Sequence, residues 1–379
     1  MNRLFLRCLA TLIFSTATLA ALAANPIKVG VLLPLHNENG DGSRMVEYYR
    51  GLLFAIDSLK QEGVSVEITT YNTKEEANVD TILQKGELAN SDIIFGPLYS
   101  KQVSSISMLS KLKGCKLVIP FSIDTPELFS NPNLFQVYQK PVDLENRTIA
   151  NFTRQSMKNG DCQYIIIDCN DTTAFRRPSF TTNLKSYCEK EGVPFRITNV
   201  LQTDKAFAKA FAKKKTNIVV LNSASSPKML EVFAKLNTLR EKNPKLTFRI
   251  LGYTEWLMYE KFQYENFCKN DVYIPSTFYY RSNDPRVVNL ENKYRFWFKQ
   301  DVQISLPRFV LTGFDQGYYF LKGISKYGKS FVGSPSQKVN NPVQTPLHFS
   351  KVSAHGGYIN DDMMFIHYRS DRALELINY

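Results

Sequence analysis

The sequence predicts an α/β protein built as two doubly wound α/β lobes joined by hinge strands. Three observations predict it. Short apolar runs, stopped by proline or glycine, alternate with amphipathic segments over the first 140 residues. After Lys140-Pro141 the alternation begins again and continues to Gly252, repeating the architecture without repeating the sequence. The extended aromatic segment Val272 to Tyr280 (VYIPSTFYY) then supplies a hinge strand returning to the first lobe. A chain of 379 residues with 44% hydrophobic and 22% charged side chains holds about two globular domains of ordinary size. The expected division is 25–140 with 281–330 for the first lobe and 141–280 with 331–379 for the second.

The elements follow in order. Residues 1–24 read as a secretory signal peptide: Arg3 and Arg7 precede an apolar run from Leu9 to Leu19, and Ala21-Leu22-Ala23 is a small-x-small cleavage site. The run is too short and too rich in Ala and Thr for a lasting membrane span. Cys8 lacks the small preceding residues that lipidation requires. Ile27 to Leu33 is a buried strand ended by Pro34, and His36 to Ser43 is a polar, glycine-containing loop. Met45 to Lys60 has helical spacing through Tyr49, Leu52, Leu53, Ile56 and Leu59. Val64 to Tyr71 is the next strand, followed by a helix from Asn72-Thr73 through Leu83. After the 91–122 unit comes a strand at Asn133 to Tyr138.

The second series has a helix at Val142 to Met157 and a strand at Gln163 to Asp168. A helix at Thr181 to Gly192 and a strand at Phe195 to Val200 come next. Lys205 to Lys214 is helical, Asn217 to Asn222 a strand, Met229 to Asn243 a helix and Thr247 to Gly252 a strand. Beyond the hinge strand, Leu290 to Lys299 and Phe309 to Ile324 are helical, the latter with Gly313 and Gly317 placed for close packing. Residues 327–346 form a loop. His348-Phe349 and Met363 to Tyr368 end the chain as a hairpin-like pair.

Residues 91–122 are the stretch around which the chain is organised. Asp92 to Phe95 is a strand stopped by Gly96-Pro97, because Pro97 offers no amide proton. A helix with Val103, Ile106, Leu109 and Leu112 on one face runs to Gly114. Leu117 to Ile119 is a second strand stopped by Pro120. This is one right-handed βαβ crossover, so Tyr99, Ser100, Phe121 and Ser122 share the carboxyl edge of parallel strands, where open α/β sheets bind ligands. Ser100 stands near a helix start, where free amides favour an anion. It serves either as a helix N-cap or as a ligand contact.

The formal charge is +12, and loss of Arg3 and Arg7 with the signal peptide leaves +10. A basic exported protein suits anionic ligands, cell-wall polymers or phospholipid head groups, and a dispersed solvated surface is the plain alternative. Lys213-Lys214-Lys215 reads as the basic end of a helix, and no interleaved aromatic motif points to nucleic acid. Cys115, Cys162, Cys169, Cys188 and Cys268 make an odd set, so at least one thiol is free or paired between chains. A bridge from Cys162 or Cys169 to Cys188 is open in an exported chain. No C-x-x-C occurs and the four His are scattered, which argues against a metal.

The motifs IKVGVLLPL, YYRGLLFAIDSL, IIFGPLYSKQV, VIPFS and TGFDQGYYFLKGI, in that order, resemble the type I periplasmic binding proteins. The leucine/isoleucine/valine-binding family is the nearest in pattern, and the resemblance spans residues 27–379. The chain also looks like exported proteins of Bacteroidetes type, some of whose relatives carry peptidoglycan-binding LysM modules, although no LysM-like segment is visible. The resemblance implies that Ser100, after the IIFGP-like strand, holds a ligand carboxylate, and that Ser122 adds a polar contact. It implies that Glu255, in LGYTEW, holds the ligand ammonium from the second lobe. A zwitterion needs donors on one side and an anion on the other; a solvated surface carboxylate is the plain reading of Glu255. Tyr99 and Phe121 narrow the cleft or stack on a ring-bearing ligand. Asp168 and Asn170 occupy positions of variable second-lobe contacts, and Asp315 reads as structural.

No G-x-S-x-G, phosphate loop, dinucleotide fingerprint or H-E-x-x-H is present. The expectation is therefore a non-enzymatic exported protein without cofactor, closing two lobes around a small-molecule ligand such as an amino acid or cell-wall fragment. Its partners would be a membrane transporter or a cell-wall component, with no nucleic acid and no transmembrane segment in the mature chain. The alternative is an envelope interaction protein that uses the same fold to contact a peptidoglycan enzyme or polymer, and exposed aromatics on one lobe would favour it.

Overall fold

The computed structural model describes residues 25–76, 78–158, 160–339 and 342–379. The expected signal peptide, 1–24, lies outside the described residues. Two seven-stranded sheets organise the chain. The first takes β1 (Ile27–Leu33), β2 (Val66–Asn72), β3 (Ile93–Phe95), β4 (Lys116–Ile119) and β5 (Leu134–Gln136). The second takes β6 (Cys162–Asp168), β7 (Phe195–Asn199), β8 (Thr216–Leu221), β9 (Phe248–Leu251) and β10 (Val272–Ser276). In each group of five every recorded pairing is parallel. Both sheets have the same internal order: β5-β4-β3-β1-β2 in one, β10-β9-β8-β6-β7 in the other. This is the repeated architecture that the alternation of elements predicts.

Helices cover the sheet faces: α1 (Gly40–Gln61), α2 (Val79–Gln84), α3 (Val103–Lys113), α4 (Pro141–Lys158) and α5 (Pro178–Glu191). They continue with α6 (Asp204–Ala208), α7 (Ser226–Lys242), α8 (Glu260–Lys269), α9 (Pro285–Phe298) and α10 (Phe309–Tyr327). Strand β1 is buried at six of seven positions, because a parallel strand covered on both faces needs an unbroken apolar run. Val29, Val31 and Leu33 face one core; Leu32 faces the other.

Helix α1 starts earlier than its apolar spacing shows. The Asn39 side chain accepts a hydrogen bond from the Gly42 amide at 2.9 Å, so the polar GDGSR stretch becomes the first turn. Helix α6 is shorter than expected, and Lys213 to Lys215 do not end a helix. The Asn217 side chain accepts from the Ala212 amide (2.9 Å) and donates to the Ala212 and Lys215 carbonyls (3.0 and 3.2 Å). These bonds offer the backbone a turn in place of a helix. Helix α8 carries no clear apolar period and escapes sequence reading.

The C-terminal region departs most from expectation. The strands β11 (Phe349–Lys351) and β12 (Tyr358–Asn360) pair with each other and then with β5, so they extend the first sheet. Residues 331–379 therefore do not belong wholly to the second lobe. Phe349 and Tyr358 both contact the Phe135 ring, at 5.3 and 4.9 Å, and this aromatic packing draws the segment back. Strand β13 (Met364–Tyr368) pairs with β10 and with β14 (Leu374–Asn378) in the second sheet. The expected hairpin of Phe349 with 363–368 is thus two strands in different sheets. All five described cysteines are buried and free, so the open bridge to Cys188 is not formed.

Candidate functional site

The carboxyl ends of β3 and β4 bring four of the expected residues together. Tyr99, Ser100, Phe121 and Ser122 line one open hollow of about 450 Å³. Ser100 and Ser122 share a hydrogen bond, Oγ to Oγ, at 2.6 Å. Ser100 begins a 3₁₀ turn that leads into α3, and neither that turn nor α3 has a side-chain cap bond at its start. The Ser100 hydroxyl is therefore directed across the sheet edge to Ser122 and not spent as an N-cap. Gly96 permits this route: it has φ +107°, and a β-carbon there would overlap the Leu32 carbonyl. Phe121 does not stand free in the hollow. Its ring packs edge-on against Tyr48 and Tyr138, both at 5.2 Å, and against Phe309 at 5.5 Å.

Glu255 lies elsewhere, in a cavity of about 330 Å³ at the carboxyl ends of the second-sheet strands. It follows β9 in a 3₁₀ turn, Thr254–Tyr259. The turn is held to β10 by the Thr254 hydroxyl, which donates to the Pro275 carbonyl at 2.7 Å. The Glu255 carboxylate is ion-paired with Arg177, at the N-terminus of α5. Arg177 also donates to the carbonyls of Ala174 and Arg176, at 3.3 and 3.0 Å. Sequence reasoning missed both Arg177 and Glu145, which lines the same cavity from the first turns of α4. Glu145 accepts from Asn183 at 3.2 Å and from Ser179 at 3.4 Å. Burial pushes the Glu145 carboxyl above its ordinary value, opposed by those two bonds and by Arg177, while Glu255 adds to the rise. The signal for both lay in their places beside Pro141 and Pro178, each starting a helix after a strand.

The two sites are linked through the segment between α9 and α10. Leu306 reaches the Glu255 cavity from the first lobe. Three residues later Phe309 touches the Phe121 ring. The segment is tied to the first lobe by Gln303, which donates to the Ser43 hydroxyl at 2.5 Å. The cavity around Glu255 thus takes walls from both lobes, and it shares no lining residue with the hollow at Ser100.

Asp168 and Asn170 do not reach this cavity. Asp168 accepts from the Asn170 amide (3.1 Å), Asn222 (2.9 Å) and Asn199 (3.2 Å), a knot joining the ends of β6, β7 and β8. Burial would raise its pKa, but these bonds outweigh that and hold it below the usual range. Asp315, inside α10, accepts from the amides of Val343, Gln344 and Thr345 at 2.8, 2.9 and 2.7 Å and is buried. Among the described residues no group of three or more His, Cys, Asp or Glu is placed to hold a metal, and no helix is long and apolar enough to cross a membrane.

No family model matches the chain, and no curated protein matches it in sequence. Its fold is nevertheless well represented among solved structures. A protein described as a branched-chain amino acid ABC transporter from Rhodospirillum rubrum is 13% identical with a TM-score of 0.58, over 93% of this chain and 100% of that one. LpoA from Haemophilus influenzae is 14% identical with a TM-score of 0.56, over 94% of this chain and 59% of that one. An ABC transporter substrate-binding protein from Sphaerobacter thermophilus is 12% identical with a TM-score of 0.50, over 93% and 97%. At these identities the likeness is one of fold: two α/β lobes joined by hinge-like segments, the type I periplasmic-binding-protein fold.

Proposed function

We propose that this chain is an exported solute-binding protein, not a catalyst, that closes its two lobes on a small ligand. The signal peptide would be removed near Ala23. The observation that carries the reading is the cleft itself. A cavity lined by Glu145, Arg177 and Glu255 of the second lobe receives Leu306 of the first, and the Ser100–Ser122 pair stands at the carboxyl edge of the first sheet. In this reading Ser100 and Ser122 donate to an anionic group of the ligand, and Tyr99 and Phe121 bound the first-lobe side. Glu255 takes part from the second lobe while held by Arg177. A ligand that touches both halves only in the closed form shifts the population toward closure. Similarity of fold to transporter-associated binding proteins supports a membrane transporter as partner.

Thermal unfolding of the mature protein against amino acids, short peptides and cell-wall fragments tests the reading. A ligand at a hundred times its dissociation constant adds about 2.7 kcal/mol. That gain should disappear in Ser100→Ala and shrink in Glu255→Gln. A panel without any shift removes the solute-binding reading.

A second reading has its own observation. On the first lobe Phe296 is 70% exposed and Ile304 is 93% exposed, with half-exposed Trp297 between them. Apolar exposure of that kind marks interaction surfaces. In this reading the chain is an envelope protein that contacts a peptidoglycan enzyme or polymer, in keeping with the resemblance to exported Bacteroidetes-type proteins with LysM-bearing relatives. Phe296→Ser with Ile304→Ser would abolish capture of the partner from an envelope extract and leave solute-induced shifts intact.

A further inference from the structure

The charges around the second-lobe cavity do not balance, and the imbalance names a ligand class. The described lining carries two carboxylates, Glu145 and Glu255, and one guanidinium, Arg177. Arg177 is engaged: it pairs with Glu255 and directs further donors to the Ala174 and Arg176 carbonyls. Those bonds brace the 171–177 loop and the charge of Arg177 is already paired with Glu255, so the lining keeps one carboxylate in excess. Glu145 is placed differently. Its hydrogen bonds come from two neutral donors, Asn183 and Ser179, at 3.2 and 3.4 Å, and the charge of Arg177, which it feels from nearby, is shared with Glu255. It is half-buried against an apolar wall made by Leu144, Phe180, Met258, Phe278 and Leu306. A carboxylate in such a place costs free energy unless a cation joins it.

We propose that this cavity is a specificity pocket for a primary amine or guanidinium borne on an apolar stem, with Glu145 as its counter-ion. The inference rests on the cleft-binding reading and sharpens it. Charge-assisted bonds from the cation replace the weak neutral ones at Glu145. The methylene stem lies along Leu144, Phe180 and Met258, as aliphatic chains of basic groups do on apolar surface. Leu306 arrives from the other lobe and excludes water from the pair when the cleft closes. A cavity of about 330 Å³ is at the small end of the range for small-molecule sites. The pocket disfavours a carboxylate or phosphate, which would face Glu145 with no free guanidinium.

Isothermal titration of the mature protein with L-leucine, L-lysine, L-arginine and 1,5-diaminopentane tests this. The expected result is that lysine or arginine binds at least tenfold more tightly than leucine. Glu145→Gln, which keeps the shape and can still accept from Asn183 while its new NH2 donates to the Ser179 hydroxyl, should weaken the basic ligand at least tenfold and leave leucine within about twofold. Diaminopentane separates the pocket from the rest of the cleft, since it carries the cation and stem without a carboxylate. Its binding, lost in Glu145→Gln, would support recognition of the cation itself. If leucine binds as well as lysine and Glu145→Gln changes neither, the cation pocket is overturned while the cleft reading stands. If none of the four binds, the cation pocket is overturned too, and a response to some other solute in the wider thermal panel decides the cleft reading separately. Unchanged unfolding of the ligand-free Glu145→Gln protein guards against reading a folding defect as lost binding.

Discussion

Asp315 shows how one side chain holds a distant segment. Its carboxylate sits inside α10 and accepts three successive amides, 343 to 345, at 2.7–2.9 Å. Asp315→Ala leaves those buried donors without a partner, so equilibrium unfolding in urea should show a loss of at least about 3 kcal/mol. Burial pushes its pKa up to about 7, although the three amides pull the other way. The sign follows from linkage. A carboxyl raised in the folded state binds its proton more tightly there than in the unfolded chain, where it titrates near 4. Its contribution therefore declines as pH rises from about 4 to about 7. Urea unfolding at pH 5 and pH 7.5 should give a steeper decline for the wild type than for Asp315→Asn; equal slopes would show that the carboxylate is ionised throughout. Asp284 is the opposite case. It caps α9 through the Arg286 amide at 2.9 Å, and its bonds to Arg286 hold its pKa down to about 2. Its stabilisation is present above about pH 4 and fades as pH falls toward 2. Asp284→Ala should cost about 1 kcal/mol at neutral pH.

At the scale of elements, the crossing of α1 and α10 depends on two glycines in facing helices. A β-carbon at Gly313 would overlap the Tyr48 carbonyl, and one at Gly51 would overlap the Val310 carbonyl. The backbones meet so closely that Tyr48 can also donate to Gln316 at 2.7 Å across the crossing. Alanine improves helix propensity by about 1 kcal/mol, but here the clash is with backbone that has no rotamer to yield. Gly313→Ala should therefore destabilise the protein by about 1–3 kcal/mol, measured as a lowered urea midpoint. An unchanged or raised midpoint would mean that the helices separate without cost. The glycines in TGFDQGYY are visible in sequence and point to close packing, yet their partner is not. Gly51 in YYRGLLF carries no mark of being the opposing surface until the helices are crossed.

Across the whole molecule, the two sheets are joined by three crossings of the chain, and the first and third are tied to each other. Arg147 of α4 donates to Gln139 at 2.8 Å and to the Asp361 carbonyl, while Gln139 donates to the Asp362 carbonyl at 2.8 Å. Arg147 stands in the second lobe, and Gln139 and Asp361 stand where the chain passes between lobes. Closure of the lobes, as proposed above, would bend the chain at these places. Arg147→Met removes the tie but keeps the aliphatic stem, so amide exchange should quicken at 139–140 and 361–363 and hold steady in β6 and β8. Uniform protection across both regions would locate the hinge restraint elsewhere.

Sequence alone determined the fold class, because apolar runs and proline or glycine stops are local properties that each strand carries with it. It also placed Tyr99, Ser100, Phe121 and Ser122 on one edge, since a βαβ unit has a single handedness and its carboxyl ends coincide. Tertiary structure decided what those residues face. Phe121 turned out to be walled by Tyr48, Tyr138 and Phe309, which lie 73, 17 and 188 positions away in the chain. The pairing of Glu255 with Arg177, and the position of Glu145 beside them, join three segments whose order in sequence says nothing of their distance in space. The return of β11 and β12 to the first sheet was likewise a tertiary outcome. The pairing of β12 with β5 and the stacking of Tyr358 on Phe135 are made with a strand more than two hundred residues earlier, and no local pattern of side chains encodes such a partner.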